Sequence, residues 1–169
     1  MNEQEEFLDV VTRDGEIIKT LPRSEIHGNP SLIHRVVHVL VFNSKGELIL
    51  QKRSMNKDVA PGKWDTSVGG HVNSGETLDK AVQREMEEEL GITVVRPEFL
   101  YSYIHSNQYE TELVYTYSCV YDREIKHQQD EIDEVRAWPM DEIRENMGKG
   151  VLSDNFEHEF ETFLKKGGK

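Results

Sequence analysis

The stretch GGHVNSGETLDKAVQREMEEELGI, Gly69 to Ile92, places four of its five glutamates between Arg84 and Gly91. From Thr77 to Leu90 the spacing predicts a helix. At about 100° per residue, Leu78, Ala81, Val82, Met86 and Leu90 share one broad apolar face. Gly91 supplies the stop, since glycine enters the left-handed conformation that ends many helices at no steric cost. Glu85 and Glu89 break the pattern. Both project within about 20° of Leu78, Glu88 lies at the edge of the face, and only Glu87 points clearly away. Glu85 and Glu89 also form an i,i+4 pair of like charge. Such a pair costs roughly a few tenths of a kcal/mol in water, and far more when half-buried. Two readings are open. One is a solvated acidic face, helped by Arg84 opposite Glu88 at i,i+4. The other is a cluster of hard oxygen ligands for a divalent cation such as Mg²⁺ bridging a diphosphate. The preceding loop, GGHVNSGE, favours the cation, because its glycines let backbone approach a ligand and Gly69 can offer a carbonyl.

Outward from this unit, the 169 residues read as one domain over 1–169, long enough to bury a core without staples. With 36% hydrophobic and 31% charged residues, the composition is that of a soluble protein on the polar side. No apolar run approaches the roughly 20 residues of a membrane span. The start, MNEQEEFLDVV, lacks the pattern of a secretory signal. Cys119 is the only cysteine, which excludes an intramolecular disulfide and points to a reducing cytoplasm. A net charge of −12 opposes binding to duplex nucleic acid, whereas bound cations would let a small phosphorylated molecule in.

FLDVV and EIIKTL flank TRDG and predict a β-hairpin, an N-terminal extension within residues 1–30. LIHRVVHVLVF, ELILQKR, TELVYTYSCVY and VRAW read as strands, with NKDVAPGKWDTSVGG as a loop. MDEIRENM and NFEHEFETFLKK read as helices, the second with Phe156, Phe160, Phe163 and Leu164 at helical spacing. Together they predict an α+β domain, a mixed sheet covered by helices. Loops around 54–66, 103–110 and 141–155 would select the substrate. A homodimer joined through the hairpin or the C-terminal helix is compatible with the pattern.

Gly70, five residues, Glu76, seven residues, then Arg84-Glu85-Met86-Glu87-Glu88-Glu89-Leu90-Gly91-Ile92 resembles the complete signature of the Nudix hydrolase superfamily. Average residue usage makes a chance match rarer than about one in a million chains. The resemblance implies an α/β/α sandwich whose loop–helix, residues 69–92, binds Mg²⁺ or Mn²⁺. It also implies hydrolysis of a P–O–P linkage, in a nucleoside diphosphate linked to another group. By position, Glu85, Glu88 and Glu89 would be metal ligands, with the Gly69 carbonyl a further one. Arg84 would orient Glu85, and Glu76 would support the loop or an additional metal. Glu85 is the first choice of general base and Glu112 the second.

RSEIHGNPSLIHR, PGKWDTSVGGHV and the ETE of YETELVYTYSCVY resemble a narrower branch, the type I isopentenyl-diphosphate isomerases. By position, that likeness implies a metal centre of His27, His34, His71, Glu110 and Glu112. Three imidazoles and two carboxylates favour Mn²⁺, Zn²⁺ or Fe²⁺ over Mg²⁺. The chain departs from the isomerases at Gly69, where their active-site cysteine stands, and it keeps every carboxylate of the signature. A metal-dependent pyrophosphohydrolase on an isomerase-like frame is therefore expected. An isomerase and a non-catalytic nucleotide-binding module are the alternatives. Among other residues, Arg53, directly after an alternating strand, is the first candidate to reach phosphate. Trp64 would pack under the loop or stack on a base. Cys119, Tyr115, Tyr117 and Tyr121 read as core residues.

Overall fold

The strand order follows from two chemistries, β-branched runs that need burial on both faces and alternating runs that need one wet side. The computed structural model describes residues 5–57 and 59–167. Among them nine strands form one mixed sheet. The hairpin pairs β1 (Phe7–Val11) antiparallel with β2 (Ile17–Pro22), and a short helix α1 (Arg23–Ile26) leads out of it. β3 (Ile33–Phe42) is the hub. It pairs antiparallel with β1 and with β6 (Val68–His71), and parallel with β8 (Thr111–Val120) over its whole length. β4 (Leu48–Arg53) joins β3 at Phe42 and carries β5 (Trp64–Asp65) and β9 (Ile132–Trp138). β7 (Glu98–Ser106) closes the far side against β8.

Helices cover both faces. Val37, Val39 and Val41 of β3 pack with Ala81, Val82, Met86 and Leu90 of α2 (Leu78–Leu90). Leu40, on the opposite face of β3, packs with Ile143 of α3 (Met140–Asn146) and with Phe156 and Phe160 of α4 (Asp154–Thr162). A π-helical turn, Phe163–Gly167, continues α4. The result is the α/β/α sandwich the signature implied. Each phenylalanine buried in this way stabilises the layer by roughly 1.5–3 kcal/mol.

The helix ends are set as the sequence dictates. The Thr77 hydroxyl accepts from the Lys80 N–H at 3.2 Å, and Gly91 turns left-handed at φ 67°. Four elements differ from expectation. The supposed loop before Gly70 contains β5 and β6, strands too short for a periodic signal, held by their ladders to β4 and β3. EFLYSYIHS forms β7, extending into the expected 103–110 loop. Its polar residues hide the alternation, and pairing with β8 from Glu98 to Ser106 imposes the strand. The single turn of α1 was also unexpected. No helix among the described residues is long and apolar enough to cross a membrane.

Candidate functional site

The acids of α2 lie where the helix meets β6. Glu85, 9% exposed, occupies the space above Gly70, so any side chain there would collide with its carboxylate. Glu89 reaches into the sheet, where its Oε1 accepts from Gln51 Nε2 at 2.7 Å and from the Gly69 N–H at 3.3 Å. Glu88, 58% exposed, stands at the rim. Arg84 braces the group. Its Nε and Nη2 donate to Glu76 at 2.8 and 2.9 Å, and Nη2 also donates to the His71 carbonyl at 3.0 Å. Its Nη1 is left 3.4 Å from Glu85 and 3.5 Å from Glu88. Glu76 closes the turn by accepting from the Asn73 N–H, and Arg84 holds its carboxyl below the usual range.

One guanidinium cannot offset this many acids. Burial, then the charge of Glu88, pushes Glu85 up to about 7 against the pull of Arg84. Burial and the neighbouring Glu85 push Glu89 well above an ordinary carboxyl. A divalent cation would relieve both, so the donor set fits one.

A second cluster forms beside the first. His34 is 2% exposed, and neither of its ring nitrogens has a hydrogen-bond partner among the described residues. Its Nε2 lies 3.6 Å from Glu112 and 3.9 Å from Glu110. The His71 ring stands edge-on at 5.2 Å, and donor atoms of His34, His71 and Glu112 all lie within 4.8 Å of one another. His27, at the rim, is 3.6 Å from Glu110. Asn155 of α4 donates to Glu112 at 3.3 Å. Burial pushes both carboxyls up. Glu112 nevertheless ends below its ordinary value because His34, His38 and His71 outweigh burial, whereas Glu110 stays raised by burial and by Glu112. A buried imidazole without a hydrogen-bond partner, facing two carboxylates, is a donor set that suits a divalent metal ion.

The acids of α2 and, from the second cluster, His27, His71, Glu110 and Glu112 line one cleft of about 510 Å³, with His34 behind them; the cleft also receives Arg23, Arg53 and Lys57. A family profile described as the NUDIX domain matches residues 32–156. The chain belongs to the Nudix family.

It is 31% identical to a Nudix hydrolase of Clostridium acetobutylicum over 90% of this chain and 81% of that one. It is 44% identical to Nudix hydrolase 3 of Arabidopsis thaliana over 56% of this chain and 12% of that one. The chain spans about half or less of the length of several curated Nudix relatives it matches. Among solved structures, DR0079 of Deinococcus radiodurans shares the fold with a TM-score of 0.77 at 24% identity, covering 93% of this chain and 98% of that one.

Other residues of this Nudix domain fall as follows. Arg53 lines the cleft, fixed by Nε donating to the Val59 carbonyl at 2.8 Å and by Nη1, 3.3 Å from Asp65. Trp64 is buried edge-on against Trp138 at 5.4 Å and does not line the cleft. Cys119 is buried in the core facing α2, its thiol pushed up to about 11. Tyr117 and Tyr121 share that core, with Tyr115 packed against it.

Sequence reasoning missed several cleft residues, Glu6, Thr66 and His38 among them. Glu6, just before β1, sits 3.3 Å from Arg23 and 3.8 Å from His71. Thr66, between β5 and β6, lines the cleft and is buried. His38 lines the cleft floor, its Nδ1 2.8 Å from the fully buried Glu159 of α4. Glu159 also accepts from Tyr101, Tyr103 and Thr116. Burial opposes a charge on His38, but Glu159, Glu112 and Asp65 outweigh it and raise its pKa. The signal was present. Glu159 stands between Phe156 and Phe160 on an apolar face, the same anomaly that exposed Glu85 and Glu89.

Proposed function

We propose that this chain is a divalent-metal-dependent hydrolase of the P–O–P linkage in a phosphorylated small molecule, nucleoside diphosphate derivatives included. The observation that supports it most is the packing of Glu85 and Glu89 against Gly69 and Gly70 with raised pKa values. Glu85, Glu88 and Glu89 would hold Mg²⁺ or Mn²⁺, with Gly69 and Glu76 as accessory ligands. His27, His34, His71, Glu110 and Glu112 would hold a second, softer divalent ion. Bound there, the cations supply positive charge against the diphosphate oxygens.

This chain's own residues do the rest. Arg53, already fixed by Val59 and Asp65, has N–H groups without a partner among the described residues and able to donate to a phosphate. Glu85 accepts a proton from water as its oxygen bonds to phosphorus; the bridging P–O bond breaks, and two phosphate-terminated products leave. Arg84 positions Glu85. Glu112 is the second candidate for the base, and Asn155 orients it.

A panel of about a hundred diphosphate compounds, assayed for released phosphate with Mg²⁺ and with Mn²⁺, tests the reading. Turnover that needs the metal supports it, and silence across the panel removes it. The His/Glu cluster also favours an isomerase-like frame, so isopentenyl diphosphate belongs in the panel. Its conversion to dimethylallyl diphosphate without phosphate release would establish the isomerase instead. A non-catalytic binding module would retain ligand binding in Glu85→Gln and Glu89→Gln while never showing turnover.

A further inference from the structure

Behind the cleft floor lies a polar group that the proposed chemistry does not use. Glu159 of α4 is fully buried, between Phe156 and Phe160 on an apolar helix face. Four donors converge on its carboxylate. Tyr101 donates to Oε2 at 2.5 Å; Tyr103 and Thr116 donate to Oε1 at 3.1 and 2.7 Å, and His38 Nδ1 lies 2.8 Å from the same oxygen. Three hydroxyls and a ring nitrogen turned onto two oxygens leave no place for a carboxyl proton, so the group is ionised. A buried carboxylate is costly unless a cation pairs with it. His38 is the only basic side chain paired with it among the described residues.

The other edge of the same ring belongs to the cleft. Of the basic side chains that line it, His38 is the most deeply buried, 7% exposed against 22% for Arg53 and 47% for Arg23. Its Nδ1 is committed to Glu159, and Nε2 has no hydrogen-bond partner among the described residues. Gly69 keeps that edge open. It stands opposite His38 in the β3–β6 ladder, and a Cβ there would sit 3.2 Å from the ring's Cδ2 and 3.6 Å from Nε2. The bond made by one ring nitrogen sets the proton and the direction of the other. Glu159 therefore fixes, from behind, an N–H that faces the space beside Gly69, whose own N–H already donates to Glu89.

We infer that His38 is a phosphate-binding residue, its Nε2–H, aimed by Glu159, donating to an oxygen of the diphosphate beside Gly69. Glu159, with Tyr101, Tyr103 and Thr116 behind it, is the positioning group. The inference rests on the hydrolase reading for the identity of the anion and adds the residue that receives it. A contact of this kind is charge-assisted, and a ring already braced loses little freedom when the anion arrives. A histidine that merely filled the core would turn both ring nitrogens toward protein groups.

The test uses methylene diphosphonate, whose P–C–P unit cannot be hydrolysed, on Mg²⁺-loaded protein. His38→Asn keeps an amide where Nδ1 stands, able to donate to Glu159, and leaves nothing in the place of Nε2. Calorimetry should show the variant binding the probe about tenfold or more weaker than the parent, as for the loss of one charge-assisted hydrogen bond. In the parent, NMR of the imidazole nitrogens should show the His38 Nε2–H signal moving on addition of the probe, and moving more than Nδ1–H. This second reading holds even if the variant fails to fold. Equal binding by a folded variant, a still Nε2–H signal, or a parent that does not bind the probe overturns the inference. On any diphosphate that is turned over, His38→Asn should lower kcat/KM about tenfold. An unchanged kcat/KM overturns the inference and leaves the hydrolase reading intact. Probe binding that depends on His38, with no compound of the wider panel hydrolysed, upholds the phosphate contact and removes the hydrolysis alone.

Discussion

The two acidic clusters of the cleft solve the same electrostatic problem in opposite ways. The α2 cluster comes from one contiguous segment and sets Glu85, Glu88 and Glu89 around a single nearby cation, Arg84, which is itself shared with Glu76. Glu85 and Glu89 respond by holding protons more tightly. The second cluster is assembled from α1's exit, β3, β6 and the start of β8, and mixes imidazoles with its carboxylates. There Glu112 is held below its ordinary value despite complete burial, since His34, His38 and His71 stand against it. A helix face of like charges is therefore a strong demand for an external cation. A mixed cluster partly meets its own demand and is left with one orphaned ring, His34.

If the α2 cluster carries the chemistry, Glu85→Gln should lower kcat by about 10³-fold, within the range of a lost general base, with the fold retained by circular dichroism. A loss of tenfold or less would shift the base to Glu112 and reverse the ranking of the clusters. Next in size is His34→Asn. Calorimetric titration with Mn²⁺ should then lose one binding event while the α2 event keeps its affinity. Loss of both events would show the clusters to be one site.

The smallest effect separates the clusters by sign. Glu85 has a raised pKa, so the folded state takes up its proton more readily than the unfolded chain. In metal-free protein its contribution is present at low pH and lost as pH climbs through about 7. Glu112 has a lowered pKa, so its contribution is present at neutral pH and lost on acidification through its folded value. Melting in chelator from pH 5 to 8 should show Glu85→Gln gaining on the parent as pH rises, by about 2–4 °C per kcal/mol for a chain of this size. Metal addition should raise the melting point more at pH 8 than at pH 6. A parent and variant that track in parallel across this range would remove the claim of a strained α2 cluster.

What could be read in the sequence follows the same division. The α2 cluster lies within the twenty-four residues Gly69 to Ile92, where the distance from one ligand to the next is fixed by helix geometry alone. Its start near Thr77 and its stop at Gly91 were legible for the same reason, although Thr77 proves to be the cap rather than the first helical residue. The strands β3, β4, β8 and β9 and the hairpin were legible from their own periodicity. The second cluster depends on the parallel β3–β8 ladder that sets His34 opposite Glu112, and no local pattern encodes a register between strands so far apart. Resemblance to a family supplied it; periodicity did not. β5 and β6 are made by their partners, and β7 by β8. Glu6 acquires its place only when the hairpin docks on the loop before α2, where Leu8 bridges Asn73 and the Ser74 N–H donates to the Phe7 carbonyl. Thr66 announces itself only through a missing partner, which exists in three dimensions alone.

β6 has just four residues, and successive side chains on it belong to different clusters: Gly70 makes room for Glu85, and His71 joins His34. Inserting one residue before Gly70 would carry glycine into the place of His71, and deleting one would carry His71 into the place of Gly70. The first change takes an imidazole from the second cluster and the second sets a ring against the Glu85 carboxylate, so the two clusters share one register and a single frame-preserving indel disturbs both.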